Sequence, residues 1–253
     1  MAWRSFVALV VVLLAGCGRV GYDVGARDGG LDATSEGDAA TPVDECIAQH
    51  AGARVCSGFE GDVGTYWSIT TRDTATLGTT TGAHRGARAL RAEVAGGGAT
   101  AYAHRRFAPI ASGDLWMRAF VRVAAPASSV GVNLLAVEHE GSDVFGIDVN
   151  VGLEGRVHLY GVEAGTFDAA DDVRVAADEW VCMELRVLVS DDAGELELFL
   201  DGTRVVSATG IDTYPAGDYD RVLAGVAWSD ADQGSFEVLV DDVVLDVQPI
   251  GCD

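Results

Sequence analysis

Leu115-Trp116-Met117-Arg118-Ala119-Phe120-Val121-Arg122-Val123 sets an apolar residue at every odd position. A period of 2 brings alternate side chains to one face only in an extended strand, so the stretch predicts a strand with one face in a core. The same rhythm extends outward along the chain. Phe145 to Val151 is again apolar at odd positions, and Arg156 to Tyr160 sets Val157 and Leu159 against Arg156, His158 and Tyr160. Further strand-like runs cover residues 88–94, 99–107, 132–139, 181–189, 195–200, 221–228 and 235–246. Turn signals separate them: Gly96-Gly97-Gly98, Asp191-Asp192-Ala193-Gly194 and, as a two-residue hairpin signal, Asp201-Gly202. No long stretch carries a 3.6-residue apolar period. About a dozen strands without helices predict an all-β fold, a two-sheet antiparallel sandwich over residues 46–253.

The balance of charge bounds the partners. The 253 residues hold 39 acids against 17 bases, a formal charge of −22, and every base is arginine. The part from Cys46 onward keeps 14 arginines against 32 acids, or −18. A field of that sign repels nucleic acid and polyanionic surfaces, so no nucleic-acid partner is expected.

The beginning of the chain reads as an address. Arg4 supplies a positive start and Phe6 to Ala15 an apolar run of 10 residues, too short to span a bilayer. Leu14-Ala15-Gly16-Cys17 resembles the lipobox of bacterial lipoproteins. The resemblance implies cleavage of a signal at residues 1–16, acylation of Cys17, and anchoring by lipid at the outer membrane or cell surface. From Gly18 to Glu45 come 7 acids, 6 glycines and hardly any large apolar residues. Such a segment buries too little to offset its ordering entropy, which predicts a disordered acidic tether over residues 17–45.

Four cysteines remain, Cys46, Cys56, Cys182 and Cys252, an even number that suits two disulfides in an exported protein. They allow three pairings, of which Cys46 with Cys56 and Cys182 with Cys252 is favoured because the first pair closes a short local loop. Their spacing does not match a zinc site.

Trp180-Val181-Cys182-Met183-Glu184-Leu185-Arg186-Val187 and the Glu195 to Thr203 hairpin resemble the late strands of concanavalin A-like lectin/glucanase jelly rolls, laminin G-like domains included. The opening Cys56-Ser57-Gly58-Phe59-Glu60-Gly61-Asp62, the segment Gly86 to Arg91 and the closing Val240 to Leu245 are similar to jelly-roll carbohydrate-binding modules. The resemblance implies a jelly-roll sandwich and a carbohydrate ligand. It also implies a structural Ca²⁺ held by Glu60 and by Asp241 or Asp242, since the first and last strands of such folds lie side by side.

No motif for hydrolysis accompanies it: Glu138-His139-Glu140-Gly141-Ser142-Asp143 has acids but breaks the E-x-D-x-x-E spacing of jelly-roll glucanases. No serine-hydrolase elbow, zinc-protease motif or nucleotide loop occurs either. No catalytic residue is therefore assigned. Binding residues follow instead from the alternation. Its outward set is Tyr102, His104 and Arg106, then Trp116, Arg118, Phe120 and Arg122, then Asp148, Asn150, His158 and Tyr160. Rings beside planar polar groups suit sugars, whose CH faces stack and whose hydroxyls take hydrogen bonds. Trp116 and Phe120, bordered by Arg118 and Arg122, are expected to form an exposed aromatic platform. The function expected is that of a lipid-anchored envelope protein binding glycan, or a protein partner. The alternatives are a polysaccharide lyase or hydrolase of the same fold, and a passive envelope component.

Overall fold

A computed structural model describes residues 45–140, 146–214 and 217–253. The expected signal segment, Cys17 and the expected tether through residue 44 lie outside the described residues. In chain order the elements are α1 (Glu45–Gln49), β1 (Val55–Ser57), α2 (Val63–Tyr66), β2 (Ser68–Arg72), β3 (Ala75–Thr80), β4 (Ala89–Val94), β5 (Thr100–Ile110), β6 (Gly113–Val123), β7 (Val132–Glu138) and β8 (Gly146–Val151). They continue with β9 (Val157–Gly161), β10 (Gly165–Asp168), β11 (Val181–Val189), β12 (Gly194–Leu200), β13 (Thr203–Ile211), β14 (Tyr219–Ser229) and β15 (Phe236–Asp246).

The strands form two antiparallel sheets. The first runs β13-β12-β11-β6-β15-β4-β3, with β1 pairing the end of β15; the second runs β10-β9-β8-β7-β14-β5-β2. Their inner faces meet in one core. From the first sheet Leu115, Met117, Ala119, Val121 and Val123 enter it, and from the second Ala101, Ala103, Val137, Val149, Val222 and Val226. Each such aliphatic side chain removed from water contributes about 1.5–3 kcal/mol, which is why the alternation fixes both strand and face. The sandwich expected from the sequence is thus the fold, a jelly roll with two short helices added before β2.

Asp201 and Gly202 form the β12–β13 hairpin with φ of 46° and 75°. A two-residue turn with both central φ positive matches the twist of its strands, and glycine adopts it without steric cost. Two disulfides join Cys46 to Cys56 and Cys182 to Cys252, as the favoured pairing had it. The second ties the chain's last residues to β11. Close to it, the N–H groups of Ile250 and Gly251 both donate to Glu184 Oε1 at 2.9 Å.

Candidate functional site

The outer face of the second sheet carries a groove of about 820 Å³. Its floor comes from cross-strand rows. One row crosses His158 on β9, Asn150 on β8, Asn133 on β7 and Trp228 on β14. The next crosses Tyr160, Asp148, Ala136, Leu223 and His104, and a third sets Glu138 of β7 against Arg221 of β14 and Arg106 of β5. Tyr102 of β5 and Thr70 and Arg72 of β2 close the far side. Inward neighbours such as Val149 and Leu159 are fully buried, which holds the polar members of each strand outward.

Trp228 and Tyr160 are 50% and 40% exposed, whereas the amides Asn133 and Asn150 are each only 3% exposed. The rings therefore stand above a recessed polar floor. Arg221 Nη2 donates to Glu138 Oε2 at 2.5 Å, and Arg106 pairs with Glu140. Asp148 lies between Asn133 and Glu138. Burial and the neighbouring Glu138 charge raise its pKa to about 7, against a hydrogen bond from the Asn133 side chain. Burial lowers the pKa of His104, with Arg221 and Arg106 acting the same way. Burial also lowers that of His158, opposed by Asp168 and Asp230. Both imidazoles are thereby biased toward the neutral form, able to donate and accept at once.

The expected binding residues divide between the two sheets. Tyr102, Asp148, Asn150, His158 and Tyr160 line the groove, and His104 lies beside Tyr102 with ring centroids 5.8 Å apart. Arg106 shares their face at the end of a row, engaged by Glu140. Trp116, Arg118, Phe120 and Arg122 lie on β6, in the other sheet, so the outward set falls on two separate faces. The expected platform is corrected: the alternation points Phe120 and Arg118 away from the core, but they are 5% and 1% exposed. His84 stacks on Phe120, while Arg118 Nη1 reaches the Gly251 carbonyl at 3.4 Å and lies over the Phe120 ring. Trp116 stacks with Phe199 and lies under Arg186, itself bound to Asp114, Glu195 and Glu197. Arg122 donates to Asp178 at 3.1 Å. The groove residues Thr70, Arg72, Thr100, Asn133, Arg221 and Trp228 escaped the sequence reading, which named Glu138 only as an acid out of glucanase spacing.

Glu60, Asp241 and Asp242, the acids expected to hold calcium, all lie against the 84–88 segment. Glu60 Oε1 accepts from the N–H groups of Ala87 and Arg88 at 2.8 and 3.2 Å, and Asp241 Oδ2 accepts from those of His84 and Arg85 at 2.8 and 3.1 Å. Asp242 Oδ2 faces His84 Nδ1 at 3.7 Å and Arg85 Nε at 3.8 Å. Gly86 crosses Glu60 so closely, at φ 69°, that a Cβ there would lie 2.1 Å from Oε1. Asp242 Oδ2 is buried without a hydrogen-bond partner among the described residues, and among them no three His, Cys, Asp or Glu side chains come together so as to hold a metal ion. As placed, the three acids anchor the 84–88 segment across the first sheet.

No protein-family model matches the chain, and no curated protein is similar to it at a significant level. Solved structures do share its fold. Cellulose induced protein, Cip1, superposes with a TM-score of 0.60 at 16% identity, over 75% of this chain and 94% of that one. The endo-beta-1,4-glucuronan lyase of the fungus Trichoderma reesei gives 0.53 at 14% identity, over 72% and 91%. A sialidase gives 0.56 at 13% identity, over 77% of this chain and 18% of its own. At such identities the likeness is one of fold.

Proposed function

We propose that the groove on the second sheet binds a carbohydrate chain. The observation that carries this reading is the pairing of exposed rings, Trp228 and Tyr160 with Tyr102 opposite, with a recessed floor of Asn133, Asn150, Asp148 and Glu138. Sugars offer apolar CH faces to rings and hydroxyls to amides and carboxyls, and a groove takes a chain lengthwise. The fold shared with proteins named for cellulose induction and polysaccharide cleavage supports the reading without assigning it. Titration calorimetry against a panel of soluble glycans tests it. Losing one well-covered ring costs about 1–3 kcal/mol, so Trp228→Ala weakens binding about tenfold or more. Unchanged affinity in both Trp228→Ala and Tyr160→Ala contradicts the reading.

One observation favours an enzymatic second reading, a polysaccharide lyase or hydrolase: Tyr160 and Asp148 are direct cross-strand neighbours inside the groove. Following reducing ends and unsaturated-uronate absorbance in the same incubations decides it.

We further propose that the domain is exported and held at the membrane by lipid on Cys17. Its support is the lipobox-like Leu14-Ala15-Gly16-Cys17 and the two disulfides, which fit an oxidising compartment. No helix among the described residues is long and apolar enough to cross a membrane.

A further inference from the structure

Resting on the glycan-binding reading, we infer that Gln233, buried behind the groove, is a positioning residue for Trp228: its side-chain amide fastens the loop before β7 to the loop after β14, and the indole leans on the backbone so fixed.

The rim of the groove poses the problem. Val130 and Trp228 line it and are 68% and 50% exposed. Water gives an apolar side chain no reason to hold one position, and the sheet gives little more here. After the register shift that follows Ala224, the β7–β14 ladder resumes with only Trp228 opposite Asn133 and Ser229 opposite Val132. Something besides strand pairing must fix this end.

A buried polar network does so. Gln233 and Ser129 are 3% and 1% exposed. Gln233 Oε1 accepts from the N–H groups of Ser128 and Ser129 at 3.1 and 3.2 Å, and Ser129 Oγ donates to it at 2.8 Å. Gln233 Nε2 donates to the Gly234 carbonyl at 3.3 Å, and the Gly234 N–H donates to Ser128 Oγ at 2.8 Å. One step along, the Gly131 N–H donates to Asp230 Oδ2 at 3.1 Å and the Asp230 N–H donates to the Gly131 carbonyl at 3.2 Å. Both atoms of the Gln233 amide have partners, and a buried network satisfied in this way is rigid.

What the network holds is the backbone between two groove rings. A Cβ at Gly131 would lie 3.4 Å from Trp228 Cζ3 and 3.6 Å from His158 Cε1 and Nε2, so the chain there is in contact with both. On the other side the loop bears on the β8–β9 turn, where a Cβ at Gly152 would lie 2.3 Å from the Val130 carbonyl oxygen. The turn stops the loop from moving one way, and Gln233 stops it from moving the other. Gln233 itself stands outside the groove lining. Its effect on a ligand therefore passes through the ring it steadies. A pyranose stacking on a ring already in place does not have to order it, and ordering one side chain costs about two- to tenfold in affinity.

The experiment is calorimetry with wild type, Gln233→Met, Ser129→Ala, and each of these variants again in a Trp228→Ala background. Methionine keeps the length of glutamine and removes the acceptor; Ser129→Ala removes one hydroxyl and leaves both backbone N–H bonds to Gln233, so it tests the network if Gln233→Met does not fold. Mixed-linkage glucan, xylan, mannan, polyglucuronate and alginate are the probes, and affinity is compared on the one that wild type binds most tightly. Gln233→Met is expected to weaken binding by about two- to tenfold and Ser129→Ala by less, with both losses vanishing when Trp228 is alanine. Nitrogen-15 relaxation of the Trp228 indole in the free domain is expected to show a rigid ring in wild type and a mobile one in both variants. Packing alone predicts lowered stability with affinity and ring motion unchanged. Unchanged affinity in the folded variants, losses that persist undiminished in the Trp228→Ala background, or an indole already mobile in wild type overturns the inference and leaves the groove reading standing. Failure of every probe to bind wild type overturns the groove reading itself.

Discussion

The imidazole of His84 lies flat on the ring of Phe120, centroids 3.5 Å apart and planes 11° apart. The contact closes the outer face of the first sheet under a segment that Asp241 and Glu60 hold by four backbone N–H groups. It turns a ring that the alternation directs outward into a packed one. The groove proposed to bind glycan lies on the opposite sheet.

Phe120→Ala is accordingly expected to destabilise the fold by about 3 kcal/mol, the usual cost of removing a buried ring, and to leave glycan affinity unchanged. Denaturant unfolding and calorimetry on the same preparation check both halves. A loss of affinity without a loss of stability contradicts the assignment of this ring to packing.

How far the sequence reached is clearest from such residues. Alternation placed β6 correctly, face included, because core burial rewards every second side chain. It could not report what covers the outer face, since His84 and Arg85 come from a segment far away in sequence. Trp228 was hidden by parity: it shares even numbering with the core residues Val222, Ala224 and Val226, and a register shift between Ala224 and Trp228 turns it to the groove. A similar shift follows Asn133, concealed within an otherwise apolar run. The strands β2 and β3, rich in threonine and half-exposed or exposed along most of their length, offer no alternation to detect.

Glu60→Ala removes the acceptor of the Ala87 and Arg88 N–H groups. With hydrogen bonds to a charged group worth about 1.5–3 kcal/mol, a loss of roughly 2 kcal/mol is expected, seen as a lowered Tm. Because the carboxylate is met by N–H donors, adding a chelator to the wild-type domain leaves Tm unchanged. A chelator-induced drop, reversed by Ca²⁺, contradicts this prediction and supports the expected calcium site.

Burial raises the folded-state pKa of Asp148 to about 7, above its unfolded value. Its contribution to stability is therefore fully present below the unfolded pKa, near 4, and is lost as pH rises through 7. Asp148→Asn cannot ionise. The difference in unfolding free energy between variant and wild type should grow in the variant's favour from pH 5 to pH 8, by an amount on the order of 2 kcal/mol, read from denaturant unfolding at each pH. Comparing the two proteins cancels the histidines, whose lowered values act in the opposite direction. A difference independent of pH contradicts the shift.

Cys182 and Cys252 lie 70 residues apart in sequence, and their bridge holds the tail that supplies the N–H donors to Glu184. Replacing both with alanine is expected to cost about 2–4 kcal/mol. Melting curves of the double variant against wild type measure it, and an unchanged Tm contradicts a structural role for the bridge.

Cys17→Ser in the full chain is expected to move the protein from the detergent phase to the aqueous phase on cell fractionation, because the acyl chains are its proposed anchor. Unchanged partition contradicts the lipid-anchor proposal.

The central claim, that the outer face of the second sheet receives glycan, is most directly tested by mapping backbone amide shifts as a bound glycan chain is titrated into the labelled domain. The account predicts perturbations concentrated on β7, β8, β9 and β14, with the Trp228 indole among the largest, and quiet amides on β6, β11 and β12. Perturbations centred on the Trp116 and Phe199 face of the first sheet would contradict it.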